Sequence, residues 1–347
     1  MSTTMQSLGL TAEISAALEP SSGLIPGRVS RVDKGLCTVL TAKGPLRASW
    51  SGRLLAEIAK DALAVPCTGD WVAVCQWPDD PVTVELVAPR RTAIVRAEVS
   101  GTSRGQLLAA NVDVAAVVAG LHPEPNLGRI ERFLALAWDS GADPVVVLTK
   151  ADLVPDADAL AEDVAAASPG ARVLVCSTVS GRGLDDVRAL LAGDKTMALL
   201  GASGAGKSTL INELAGAEVL TVQALRDDGK GRHTSVRREL IPLPGGGVVI
   251  DTPGLRGVGL QDAGAGLEAV FADVQALAEQ CRFADCAHDT EPGCAVRAAL
   301  EDGSLPVRRY ESWLKLQREA AWMARRADAR QRAEVKKELK RRSRSQH

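Results

Sequence analysis

The chain has 347 residues, which at roughly 150 per domain allows two or three domains, each large enough to bury a core. With 46% hydrophobic and 24% charged residues and no apolar run of membrane-span length, it reads as an ordinary globular chain; a disulfide-stapled miniprotein and a multi-span membrane protein are excluded. The net charge of −2 hides an asymmetry: Val307 to His347 carries 14 Lys+Arg against 5 Asp+Glu, a basic arm on an acidic body. Such an arm suits nucleic-acid phosphates and equally suits a solvated helix face.

Met1 to Pro20 has no basic start followed by an apolar stretch, so no secretory leader is expected, and the chain to about residue 25 reads as disordered. Seven cysteines, an odd number, fit a reducing cytoplasm better than a disulfide framework. From Pro26 to Pro89, short runs at Gly27–Val32, Leu36–Leu40, Leu46–Trp50, Asp70–Val74 and Val82–Val87 predict five strands. A helical stretch with Leu54, Leu55 and Ile58 follows the third, where an oligonucleotide-binding (OB-fold) barrel carries its helix, so 1–95 is assigned to an all-β, RNA-binding barrel. Trp50, Trp71 and Trp77 are its few candidates for base stacking, and core or rim packing suits them as well.

The polar stretch Arg90–Gln106 contains Ser100-Gly101-Thr102-Ser103-Arg104-Gly105 and reads as a linker, placed at 96–106. Thereafter apolar runs at Val112–Ala119, Pro144–Leu148, Arg172–Cys176, Thr196–Leu200 and Gly247–Ile250 alternate with helical patterns near Ile130–Trp138, Ala157–Ala167, Leu184–Leu191 and Lys207–Leu214. Buried strands alternating with helices predict an α/β domain with a mainly parallel sheet over 107–262. Beyond it, 263–347 reads as mainly helical.

Gly201, Ala202, Ser203, Gly204, Ala205, Gly206, Lys207 and Ser208 match GxxxxGK[ST], follow a strand and open a helix on which Thr209 comes next. Glycines let backbone N–H groups curl around phosphates, Lys207 reaches the outer phosphates and Ser208 offers a hydroxyl to Mg²⁺. Asp251-Thr252-Pro253-Gly254 follows Val248-Val249-Ile250; Asp251 can hold the hydration shell of Mg²⁺ and Gly254 can donate to the terminal phosphate. Between the two motifs, Lys230 to Thr234 supplies Thr234 as the candidate switch residue closing over Mg²⁺.

Base choice is expected from Thr149-Lys150-Ala151-Asp152 at a strand end, like the [NT]KxD motif of GTPases. The Asp152 carboxylate can accept from the guanine N1–H and 2-amino group, which adenine lacks. Cys176-Ser177, ending the next strand run, fits the companion loop at the guanine oxygen. Thr149 stands where Asn is more usual, and one supporting hydrogen bond to the phosphate loop is in question there. The base motifs precede the phosphate loop, so the motif order is circularly permuted, which surface connections permit.

Cys281-x4-Cys286-x-His288-x5-Cys294 gathers three thiols and an imidazole within fourteen residues, a closed tetrahedral set suited to one structural zinc. Cys37, Cys67 and Cys75 lie apart and read as core residues.

With these motifs together, the chain resembles the bacterial ribosome small-subunit-dependent GTPase A family over nearly its whole length. The resemblance implies a P-loop GTPase domain between an OB-fold barrel and a zinc domain. It further implies a factor that binds the small ribosomal subunit late in maturation, with slow GTP hydrolysis stimulated by the subunit; the chain itself is read as a cytoplasmic monomer with rRNA among its partners. Leu255 follows the DTPG motif where many GTPases place a water-orienting Gln, and the family suggests His233 in that role; a solvent-exposed loop histidine is the plainer alternative. A nucleotide-gated tether with incidental hydrolysis, or a permuted GTPase serving another ribosomal partner, fits the same motifs.

Overall fold

The structure, a computed structural model, describes residues 4–18, 23–79, 81–97, 105–221, 238–252 and 264–344. His233, Thr234, Gly254 and Leu255 lie outside the described residues.

A short 3-10 turn at Gln6–Leu8 and helix α1 (Ala12–Leu18) precede the barrel strands β1 (Ile25–Asp33), β2 (Leu36–Thr41), β3 (Gly44–Trp50), β4 (Trp71–Gln76) and β5 (Val82–Val87). Helix α2 (Gly52–Lys60) lies between β3 and β4. The strands pair β1–β2–β3–β5–β4 and back to β1, a closed OB-fold ring with only the β3–β5 pair parallel. Alternation along β2 turns Cys37 and Val39 inward against Val29, Val72, Val74 and Val84. Ser51 caps α2 by accepting from the Leu54 N–H at 3.2 Å, and Leu54 is buried in the barrel core. Trp71 is buried, Trp50 is half-buried and Trp77 is exposed, so core packing claims the first.

Two sequence expectations change. The N-terminal segment is ordered over residues 4–18, with Met5, Leu8, Ile14 and Leu18 buried against the main core. Its anchor is Arg28: buried over the Trp71 ring at 5.3 Å, its guanidinium donates to the carbonyls of Leu8, of Gly69 (3.2 Å) and of Asn111 (3.1 Å). A buried cation must find acceptors, and this one draws them from the N-terminal segment, the barrel and the following domain. The ends of the expected linker are strands β6 (Ala93–Ala97) and β7 (Gly105–Ala110), paired antiparallel, with Ile94 and Leu108 fully buried. Gly69 allows this junction to close, because a Cβ there would stand 2.2 Å from the Ala110 carbonyl oxygen.

The central domain runs β8 (Val114–Gly120), α3 (Leu127–Asp139), β9 (Asp143–Thr149), α4 (Ala157–Ala166), β10 (Arg172–Val175), α5 (Leu184–Ala189), β11 (Thr196–Leu200), α6 (Lys207–Ala215), β12 (Glu239–Pro242) and β13 (Val248–Asp251). Its strand order is β10-β9-β8-β11-β13-β12, parallel except for β12, a strand the apolar pattern does not predict. One face packs under α3 and α4 through Phe133, Leu134 and Val164, the other under α5 and α6 through Val187, Leu210 and Ile211. Strand order reverses between β8 and β11, so the crevice at their carboxyl ends is where an open α/β sheet places a ligand. Arg31 of β1 pairs with Glu239 of β12, joining barrel and central sheet.

Helices α7 (Gly264–Val270), α8 (Ala272–Ala278), α9 (Ala295–Glu301) and α10 (Val307–Arg344) complete the chain. No helix of the described residues is long and apolar enough to cross a membrane. Glu131 on α3 has no solvent exposure and accepts from Arg308 (3.0 Å), Arg309 (2.8 Å) and the Ser312 hydroxyl, all on α10. Arg309, also buried, further reaches Asp273 of α8 at 2.8 Å and lies over the Phe271 ring at 4.3 Å. Truncating one member of such a network strands a buried charge. Arg309→Ala is therefore expected to lower unfolding free energy by about 3 kcal/mol, read by urea titration, with a milder loss for Arg308→Ala, whose side chain is largely exposed.

Candidate active site and metal cluster

Strand β11 ends at Leu200 and the phosphate loop, residues 201–206, turns directly into α6. Gly204 and Gly206 take φ of +78° and +90°, values that disfavour side-chain-bearing residues. Ser203 and Gly204 are exposed while Ala205 is buried, so the loop stands open with its root packed; Ser208 is half-buried and Thr209 exposed on the first turn of α6. Lys207 is buried, and its Nζ donates to the carbonyls of Gly201 (3.0 Å) and Ala202 (2.9 Å). Burial lowers its pKa to about 8, opposed by the charge of Asp251. Asp251, at the end of β13, pairs in register with Leu199 of β11 and is buried. Its carboxyl is raised to about 6 by burial, with the Lys207 charge opposing. A buried cation at the start of α6 with a buried carboxylate at the end of β13 is a combination suited to a phosphate and a divalent cation.

The base motif reaches this loop from the other side of β8. The Thr149 hydroxyl donates to the Ala205 carbonyl at 2.6 Å, supplying the supporting bond that the replacement of Asn put in question. Gly206 is needed for this approach, since a Cβ there would sit 3.0 Å from Thr149 Oγ1. Lys150 has φ of +62° and donates from Nζ to the His122 carbonyl at 3.2 Å. Asp152 is exposed at the strand end, and its Oδ1 accepts from the Ser177 hydroxyl at 2.6 Å. Ser177 Oγ in turn accepts from the N–H groups of Val179 (3.2 Å) and Ser180 (3.1 Å), which leaves its proton directed at Asp152. Ala151 is buried and donates its N–H to the Cys176 carbonyl at 3.3 Å. The Cys176 side chain faces the core, where burial pushes its thiol up to about 11, so only its backbone joins the loop. Sequence reasoning missed Thr252, whose hydroxyl donates to the Leu199 carbonyl at 2.5 Å and ties the two strand ends together.

Cys281, Cys286, His288 and Cys294 bring their ligand atoms within 4.8 Å of one another and could hold a metal ion. Cys281 Sγ lies 3.8 Å from Cys294 Sγ and 3.6 Å from His288 Nδ1, and Cys294 Sγ lies 3.5 Å from His288 Nδ1. Tetrahedral coordination at ordinary zinc bond lengths requires edges of roughly 3.8 Å between sulfurs and 3.5 Å from sulfur to nitrogen, so these three donors fit. Glu291, absent from the sequence reading, shapes the loop by accepting from Ala287 (2.9 Å), Asp289 (2.9 Å) and Thr290 (3.1 Å) N–H groups, which hold its carboxyl below the usual range.

A sequence profile described as RsgA GTPase matches residues 87–261. A relative from Streptomyces coelicolor, named small ribosomal subunit biogenesis GTPase RsgA, is 57% identical over 326 residues, covering 93% of this chain and 87% of its own. This chain belongs to the RsgA GTPase family. An RsgA from Opitutus terrae is 46% identical, covering 94% of this chain and 92% of its own. The crystal structure of YjeQ from Thermotoga maritima superposes with a TM-score of 0.60 at 25% identity, covering 84% of this chain and 97% of that one. YloQ, titled a circularly permuted GTPase, has a TM-score of 0.56 and shares the fold. Membership makes the chain a GTP hydrolase of permuted motif order.

Removing the Thr149 hydroxyl leaves the Ala205 carbonyl without its donor. Thr149→Val should cost about 1 kcal/mol of GTP binding, a several-fold rise in Kd by titration calorimetry, and Thr149→Asn should restore it.

The two shifted groups act in different pH windows. Asp251 is raised, so from its ordinary value up to about 6 the folded chain keeps a proton the unfolded chain has lost, and stability falls as pH rises. Lys207 is lowered, so from about 8 to its ordinary value the unfolded chain holds the extra proton and stability rises with pH. For the nucleotide-free protein the pair's contribution is lowest between about pH 6 and 8, and Lys207→Met should abolish the rise above about 8 in urea midpoints.

Proposed function

We propose that this GTPase acts in late maturation of the small ribosomal subunit, binding the subunit and its rRNA in the GTP state and leaving after hydrolysis. The observation that carries this reading is the succession of barrel, permuted GTPase domain and thiolate–imidazole cluster in a chain 57% identical, over 93% of its length, to a protein named for small-subunit biogenesis.

The backbone N–H groups of residues 201–206 and the Lys207 ammonium hold the phosphates, and the buried position of Lys207 strengthens its field. Ser208 and Thr234 would be the oxygen donors to Mg²⁺ and Asp251 would hold its hydration shell; the ion when bound would neutralise charge developing on the phosphates. Asp152, held by Ser177, accepts from guanine, and the Ser177 bond fixes the carboxylate plane for that purpose. Cys281, Cys286, His288 and Cys294 hold one zinc, which leaves no open position for water and serves the fold. Thr234 would close over Mg²⁺ and Gly254 would donate to the terminal phosphate, and with Leu255 unable to orient water, turnover is slow until the subunit positions His233. The protein works as a cytoplasmic monomer.

Metal analysis of protein purified without chelators should find one zinc per chain. Cys286→Ser should lose it and become protease-sensitive around residues 281–294 while retaining GTP affinity. With purified subunits, small but not large subunits should stimulate hydrolysis, and a non-hydrolysable GTP analogue should give tighter subunit binding than GDP. His233→Ala should lose most of the stimulated rate and keep GTP affinity. Equal stimulation by both subunits would sink the assignment of partner.

A further inference from the structure

Away from the nucleotide cleft, a groove of about 640 Å³ opens between the start of α3 and the N-terminal half of α10. Arg129 and Arg132 line it from α3, Arg308 and Lys315 from α10, with Glu124 and Glu311 as the opposing charges. We infer that this groove is a docking surface for the phosphodiester backbone of an RNA strand, with Arg129 and Lys315 as its principal contacts. The inference rests on the reading that the chain binds the small ribosomal subunit.

The four cations divide into two kinds. Arg132 is bound by Glu319 (Nη2 to Oε2, 2.7 Å) and Arg308 by Glu131 (Nη1 to Oε1, 3.0 Å), which fixes both guanidinium groups. Arg129 and Lys315 are exposed, and among the described residues neither has a carboxylate within 4.0 Å. Glu124 and Glu311 also line the groove but pair with neither, and two cations on opposite walls without an ion-pair partner raise the local potential and attract a polyanion. The apolar residues at the bottom, Phe133 and Leu316, are 3% and 2% exposed and already spent on the core. A peptide partner needs an apolar anchor pocket, and the groove offers none, so a sugar–phosphate strand fits it better than an acidic protein segment.

Position supports the same occupant. Positive charge continues along α10 in sequence, against an otherwise acidic chain. At the other end, Asn126 caps α3 by accepting from the Arg129 N–H at 2.9 Å, four residues after His122, whose carbonyl receives Lys150 of the base motif. RNA in the groove would therefore lie one short loop from the guanine side of the nucleotide cleft.

The test is the full-length double variant Arg129→Glu with Lys315→Glu, with Arg129→Gln and Lys315→Gln as a neutral control, loaded with a non-hydrolysable GTP analogue. Binding to purified small subunits is measured over a salt series. Losing two phosphate contacts should weaken binding about tenfold or more and make the slope of log K against log salt shallower by about 1.4. GTP hydrolysis without subunits should be unchanged, since neither residue touches the nucleotide cleft. The neutral control should fall between the wild type and the reversal. If the wild type binds small subunits and the reversal variant matches it in affinity and slope, the groove assignment fails while the proposed function stands. If the wild type binds no small subunit, the proposed function itself fails. A loss on intact subunits with none on their protein-free RNA would identify a ribosomal protein as the occupant and overturn the RNA assignment.

Discussion

A carboxylate sealed from water, Glu131, dictates where the C-terminal quarter of the chain goes. An ionised group in that position is tolerable only when its oxygens are saturated by donors. Arg308, Arg309 and Ser312 supply them, so α10 must return to α3 after passing through the metal cluster. Arg309 then hands the constraint to α8 through Asp273. Tyr310 completes the chain of contacts: its hydroxyl reaches the His288 carbonyl at 3.4 Å, and Trp313 lies 5.8 Å from the His288 ring. Central domain and cluster are thus one packed body.

That rigidity gives the permuted motif order a mechanical meaning. In this order the chain leaves β13 at Asp251 and re-enters the described structure at α7, where the Gly266 N–H donates to Asp139 of α3 at 2.6 Å. A Cβ at Gly266 would stand 2.2 Å from the Ala135 carbonyl oxygen, so α7 lies directly on α3. The described residues on either side, the end of β13 and the start of α7, therefore pack on the same domain.

Much of this was legible in the sequence because its determinants are local. A glycine-rich turn between an apolar run and a helix, or four metal-ligating side chains within fourteen residues, carries its own context. What escaped was decided at long range. Glu131 and Arg309 are 178 positions apart, and nothing near either predicts the other. Arg28 gives no sign that it will organise residues 4–18, whose short α-helix has only Ile14 and Leu18 to signal burial. The β6–β7 hairpin was masked by turn-forming residues between its strands, and β12 is four residues long and ends in proline. Thr149 was the closest case: a hydroxyl can donate as an amide does, but whether it reaches depends on Gly206 letting the loop approach.

The bridge between Arg31 and Glu239 has a consequence for association between molecules. Strand β1 shifts register between Val29 and Arg31, so its first half closes the barrel against β4 while its second half lies beside β12. The outermost strand of the central sheet is thereby partly shielded by a neighbour within the same chain, and the row of backbone groups that invites another copy is interrupted there. The opposite margin is β10, only four residues long and opening on a charged Arg172. A short, charged margin at one side and a partly covered one at the other make edge-to-edge pairing of this sheet with a second strand unfavourable.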